Sequence, residues 1–400
     1  MNAWSFALRS LARQPARSML GALGVAAVGA LLFDMLLLSR GLVVSLRSLL
    51  DSAGFDVRVV ATDSMPLAGP RLTEVSAVVA AIAALPEVDE VAALRLDDAT
   101  AQGPDGRTLK LSFIGLEAGM RRPWTVLSGN DLGEPGGPDT PPLLVNRNLA
   151  TALGLAPGAV ATLRGACSEG RIAPPLRFRV AGVAGFPFDE SSALTAAAGL
   201  ADFRRACGGE EADEADLLLV ASREGAGASE AVRAIRAARP DLHAFSNEEL
   251  VARFQQVGFS YFRQISSVLS SVTLFFGFLL ITALLTVSVN QRYAEIASLR
   301  ALGLSRKRVV LDVLCQSALL VGGGGVLSLP LGMLLAAWLD SILRAMPEIP
   351  SGLHFFVFEP RALLLHAALL ALTAVLAASY PMRLVARLPI AATLRSEVVT

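Results

Sequence analysis

The residues able to do chemistry in this chain are few, and their spacing excludes most kinds of it. Three cysteines and three histidines leave little material for a metal site. The only lysines, Lys110 and Lys307, follow no G-x-x-x-x-G, so no phosphate-cradling loop of that kind is encoded. H-E-x-x-H, G-x-S-x-G and C-x-x-C are absent. The glycine run "GAGASE" at 225–230 lacks the third glycine of a dinucleotide site and reads as a turn. The densest cluster of charge is "NQRYAEIASLRALGLSRKRVV", Asn290 to Val310, set between two apolar runs. Tyr293, Ile296 and Leu299 share one helical face with Leu302 near it, and Arg292, Glu295 and Arg300 lie elsewhere. Gly303 suits the left-handed position just past a helix, and Ser305 can cap the next one. Adsorption to lipid is one use of such a helix. A small apolar face broken by a charge in every turn fits a polar-rimmed protein groove better. The chemistry predicted is recognition, not catalysis.

The surrounding elements are those of a membrane protein. The chain is 53% hydrophobic and 18% charged, with 35 basic and 35 acidic residues, and its mean hydropathy is +0.54. Charge balance excludes a nucleic-acid binder, which needs a basic excess to neutralise phosphates. Four runs approach or exceed the roughly 20 apolar residues needed to cross a bilayer. They predict spans at 19–39, 267–289, 309–339 and 362–380. The first is too long for the apolar core of a signal peptide and has no evident cleavage site after it, so it reads as a retained anchor. Arginines at 9, 13 and 17, the cluster Arg292, Arg300, Arg306, Lys307 and Arg308, and Arg383, Arg387 and Arg395 predict a cytoplasmic leader (1–18), connection (290–308) and tail (381–400). The loop 340–361 and the region 40–263 then lie outside. Within the spans, Asp34 either reaches the outer interface or faces an intersubunit cavity. His366 reads as a tolerated polar residue rather than a proton relay. Gly322 to Gly325 and Pro330 predict a kinked, closely packed third span rather than a substrate site.

The outer region, more than 220 residues, is long enough for its own core. Leu42, Leu46, Leu49 and Leu50 continue a helical stripe beyond the first span. Leu250, Phe254, Val257 and Tyr261 form another after "SNEEL", and the two predict a stalk. Between them "DVRVV" reads as a strand, "TEVSAVVAAIAAL" as a helix capped by Thr73, and "VDEVAAL" as a strand. Pro104-Asp105-Gly106 marks a hairpin turn. "PLLVNRNLATALGLAPGAVATLRG" reads strand, helix, turn, strand. "RFRVAGVAGF", "ADLLLVAS", a helix at 229–238 and "LHAFS" complete a mixed pattern. The predicted fold class is a membrane α-helical protein of four transmembrane helices plus a large α+β extracytoplasmic domain of two subdomains on a helical stalk. Any disulfide would join Cys167 and Cys207, since Cys315 lies in an apolar run; otherwise the first two are half-buried thiols.

With these motifs in place, the sequence resembles the FtsX-like, MacB-type permeases of ABC transporters (type VII, mechanotransmission), and is also similar to lipoprotein-releasing LolC/LolE-type permeases. "RYAEIASLRALG" looks like the family's coupling segment, "YPMRLVARLPIAATLRSE" its closing helix and tail, and "LLVNRNLATALGLAPGAVATLRG" with "FRVAGV" its periplasmic core domain. Ala159 departs from the acidic residue often found there. The resemblance implies a permease without its own nucleotide site in a bacterial inner membrane. ATP and magnesium would be held by a LolD/MacB-type ATPase dimer that receives Arg292, Tyr293, Glu295, Ile296, Leu299, Arg300 and Gly303. It also implies a second permease copy or paralogue, and an adaptor or lipoprotein carrier outside. Cargo would be lipoprotein, peptide, toxin or drug. The division-type members of the family imply an alternative, a scaffold that activates a cell-wall hydrolase.

Overall fold

In the computed structural model of the chain, the residues described are 7, 9, 12–13, 15–117, 119–133, 140–166, 174–208, 213–257, 260–291, 305–346, 349–350 and 352–386. They divide into two compact units, one of Met1–Leu42, Phe259–Ile342 and His354–Thr400, the other of Val43–Gly258 and Leu343–Leu353.

The chain enters as one helix, α1 (Pro15–Ser52). The second unit then runs β1 (Val57–Val60), β2 (Leu72–Thr73), α2 (Val75–Ala83), β3 (Val88–Gln102), β4 (Thr108–Leu116), β5 (Thr125–Gly129), β6 (Pro142–Val145) and α3 (Arg147–Leu153). It continues with β7 (Val160–Gly165), β8 (Leu176–Gly185), β9 (Thr195–Gly199), α4 (Leu200–Ala206), β10 (Glu214–Ala215), β11 (Leu217–Ser222), α5 (Ala228–Ala238), β12 (His243–Ser246) and α6 (Asn247–Val257). The pairings β3–β4–β9–β6–β8–β7 return to β3 and so close a six-stranded ring. Closure removes free edges. Alternate residues fill the interior, among them Ala99, Ala101, Phe113, Leu163, Phe178 and Val180, all buried. Phe203 of α4 stacks on Phe113 at 4.8 Å.

Beyond the ring, β3 carries the antiparallel extension β11–β1–β12. The ring and this extension form one continuous sheet within one compact unit, and the 15-residue β3 belongs to both parts. The two-stranded β2–β10 sheet is tied to β3 by ion pairs. Arg95, 4% exposed, meets Asp97 at 2.8 Å and Glu214 at 3.3 Å, and Arg71 meets Asp97 at 2.8 Å and Asp216 at 3.1 Å.

Two local readings need correction. Thr73 does not cap α2, because it belongs to β2, and the residue before the helix is Glu74 with φ 53°. The free amides are met from 137 residues away, where the Asp213 carboxylate accepts the Ser76 N–H and hydroxyl, each at 2.9 Å. Tyr261 does not extend the α6 stripe. It lies on the following helix, α7 (Ser260–Asn290), and is 71% exposed, as suits an aromatic near a membrane interface. The hairpin turn stands, with Gly106 at φ 81° and its N–H bonded to Gly103 O at 3.1 Å.

The other unit contains the first part of α1 with α7, α8 (Arg306–Arg344) and α9 (Pro360–Ala386). Segments Ser18–Ser52, Gln264–Val287, Leu314–Arg344 and Pro360–Arg383 are long and apolar enough to cross a membrane. Their outward side chains are greasy: Phe275 is 58% exposed, Leu334 70% and Leu364 72%. That surface suits hydrocarbon, not water.

Candidate functional site

The helix bundle fixes where the charged segment begins and ends. Gly21 packs beside Leu320, Val25 beside Gly324, Gly29 beside Ser328 and Phe33 beside Gly332, so α1 and α8 run parallel. Gly24 meets Leu280 and Val28 meets Gly277, so α7 runs the other way, as does α9, where Gly325 meets Leu370 and Ser328 meets His366. The start of α8 and the ends of α7 and α9 thus share one end of the bundle with the start of α1. α7 closes at Asn290, and α8 opens after Ser305, whose carbonyl accepts Arg308 N–H at 3.0 Å. Arg292, Tyr293, Glu295, Ile296, Leu299, Arg300 and Gly303 lie outside the described residues.

Small residues set the α1–α8 distance. A side chain on Gly324 would put its first carbon 2.7 Å from Val25 and 2.8 Å from the Ala22 carbonyl. Backbones this close are the membrane route to tight helix pairing. Gly322 and Gly323 play no such part, since a carbon added at either meets nothing within 4 Å. α8 continues unbroken through Pro330 to Arg344.

Asp34 is wholly buried, and neither carboxylate oxygen has a hydrogen-bond partner among the described residues. It is turned into the protein rather than towards the outer interface. His366 is buried at 2% exposure, with Nε2 3.0 Å from Ser328 Oγ and its ring against Phe33 at 5.2 Å. Its role in the bundle is a side-chain hydrogen bond between α9 and α8. Asp340, near the end of α8, accepts Phe355 N–H at 2.8 Å and faces His354 Nδ1 at 3.1 Å. Among the described residues no group of three His, Cys, Asp or Glu could hold a metal. Cys167 lies outside the described residues, and Cys207 and Cys315 are both buried.

A buried polar arrangement that the sequence reading missed lies in the second unit, where the last turn of α1 meets the sheet. Arg58 of β1, 4% exposed, donates to Leu50 O at 3.1 Å and Phe55 O at 3.2 Å. It caps a helix end whose carbonyls have no partner further along. Burial pushes its guanidinium down to about 10, against the opposing pull of Asp51 and Asp56, so it remains a cation at neutral pH. Asp56 accepts the Ser222 N–H at 2.8 Å and also its hydroxyl. Asn247, the first residue of α6, donates its side-chain amide to Asp51 at 2.7 Å and to Phe55 O at 3.2 Å, and its N–H to Asp56 O at 2.9 Å. Arg47 and Glu248 pair at 3.6 Å on the outside. The end of α1, the start of β1, the end of β11 and the start of α6 are thereby fastened to one another. The one signal available in the sequence was the arginine interrupting "DVRVV".

These features define a multi-helix membrane protein with a folded α/β unit inserted between its first and second apolar helices. Residues 267–390, which include the charged connection, match the family model described as FtsX-like permease C-terminal. This part of the chain is similar to the C-terminal permease domain of that family. No curated protein matches the chain. Among solved structures it is similar to the extracellular domain of the noncanonic ABC-type transporter YknZ from Gram-positive bacteria, at 12% identity over 48% of this chain and 99% of that one, TM-score 0.34. It is also similar to the periplasmic region of MacB from Actinobacillus actinomycetemcomitans, at 8% identity over 51% and 94%, TM-score 0.38. At these scores the assignment rests on the family model, not on structural likeness.

Proposed function

We propose that the chain is the permease subunit of an ABC transporter, driven by a separate ATPase and doing conformational work outside the membrane by mechanotransmission. The observation that carries this is the FtsX-like permease match over 267–390, which spans the segment with Arg292, Glu295 and Arg300. ATP and magnesium belong to the ATPase dimer, and closure of that dimer displaces the 290–308 connection. Two features of the fold support transmission of the movement. The close parallel packing of α1 on α8 lets them move as a pair. The Arg58–Asn247 fastening gives the end of α1 no slack against the sheet. The permease works with a second copy or a paralogue, its termini in the cytoplasm, on lipoprotein, peptide, toxin or drug. The test is copurification of the ATPase with Glu295→Lys and Arg300→Glu variants whose thermal unfolding matches the parent. Release of the ATPase is expected, and retention by both variants would overturn the coupling assignment.

A further inference from the structure

A cleft of about 610 Å³ lies between α8 and α9, reaching from Leu311 to Leu329 along α8. Eighteen residues of helix rise about 27 Å. The cleft is therefore long and narrow, a shape that suits an extended chain better than a compact ligand. Among the described residues that line it, none is Asp, Glu, Lys or Arg. Two carry buried polar atoms without a partner among the described residues: Ser317 Oγ and His366 Nδ1, in side chains each 2% exposed. Ser328 gives its own proton to Gly325 O at 2.7 Å, so its oxygen accepts from the Nε2–H of His366. In the neutral ring this leaves Nδ1 as an unused acceptor. Ser317 supplies a hydroxyl that can both donate and accept. Gly322 also lines the cleft, and a side-chain carbon there would meet nothing. Glycine at that point keeps space open without serving the packing of this chain.

We propose that this cleft is a binding site for a single hydrocarbon chain of a bilayer amphiphile, uncharged where it enters and hydrogen-bonded through a hydroxyl to Ser317 or His366. A bilayer presents such chains at high density, and the two orphaned polar atoms are what distinguish this groove from passive lipid contact. The site goes beyond the transport reading and does not depend on it, because occupancy requires neither ATPase nor cargo.

The experiment uses the full chain in nanodiscs with a diazirine-bearing hexadecanol and the matched alkane, adducts being mapped by mass spectrometry. Adducts of the alcohol should concentrate on cleft residues of α8 and α9. Gly322→Leu, whose first side-chain carbon meets nothing within 4 Å and whose branch would project into the groove, should reduce them to the level at Leu334 and Leu364, which do not line it. Even labelling of the apolar surface, or indifference to Gly322→Leu, overturns the site. Equal labelling by the alkane overturns the role of Ser317 and His366. Gly322→Cys crosslinking to itself between two chains, with no adducts in the cleft, assigns the groove to a second copy and also overturns the proposal.

Discussion

Arg58→Met separates the fastening of α1 from the rest of the outer unit. The substitution keeps an apolar stem of similar reach but removes the guanidinium donor from the Leu50 carbonyl, leaves the Phe55 carbonyl with Asn247 alone, and leaves two nearby carboxylates without a cation. Each hydrogen bond from a charged donor contributes roughly 1.5–3 kcal/mol, and removing one member of a buried ionic group costs roughly 3–5 kcal/mol. The lower figure is appropriate here, because Asn247 still bonds both Asp51 and Phe55 O. A loss of about 3 kcal/mol raises local opening roughly a hundredfold. Hydrogen exchange on the full chain reads this directly. The Asn247 N–H on Asp56 O and the Asp56 N–H on Val220 O should exchange about a hundredfold faster. The Ser112 N–H on Leu194 O, in the ring, should not change. Arg58→Lys keeps the charge but not the forked donor, and should fall between the two. Exchange at the joint amides within about threefold of the parent, against the hundredfold expected from lost charged bonds, would refute the claim that Arg58 holds these elements together.

Gly324→Val should separate α1 from α8, because its side chain would overlap Val25 and the Ala22 carbonyl. The expected cost is about 1–3 kcal/mol or more in detergent unfolding, with Gly323→Val near neutral since that position is open. Asp213 should make the start of α2 acid-sensitive. Burial alone would raise its pKa, but bonds from Ser76 and Arg204 outweigh this and hold it below the ordinary 3.8. Its contribution is present above pH 3.8 and lost as pH falls through the depressed value, so the stability gap between the parent and Asp213→Asn should close in acid. Peptide mapping without reductant should recover Cys167 joined to Cys207; recovery of both as free thiols would contradict that pairing.

Much of the architecture was legible because long apolar runs and period-two strands declare themselves. The charged interruption at 290–308 and the Pro104-Asp105-Gly106 turn were equally plain. What escaped was whatever depends on distant partners. β9, "TAAAG", has the composition of a helix and is a strand because β4 and β6 flank it and bury it. The start of α2 is completed by Asp213, which no local pattern reveals. Ring closure follows from β7 pairing with both β3 and β8, a matter of register rather than composition. Asp34 and His366 were visible as polar residues in apolar runs, but only packing shows that both are turned into the bundle. The joint built on Arg58 joins residues nearly two hundred positions apart.

The central claim is that energy arrives at residues 290–308 on one side of the membrane and work is done by the Val43–Gly258 unit on the other. Labelling with a membrane-impermeant maleimide tests this most directly, using Asp105→Cys in the exposed hairpin turn and Ser298→Cys in the charged connection. In intact cells Asp105→Cys should react at once, and Ser298→Cys only after the membrane is opened. Reaction of Ser298→Cys from outside, or protection of Asp105→Cys until permeabilisation, would contradict it.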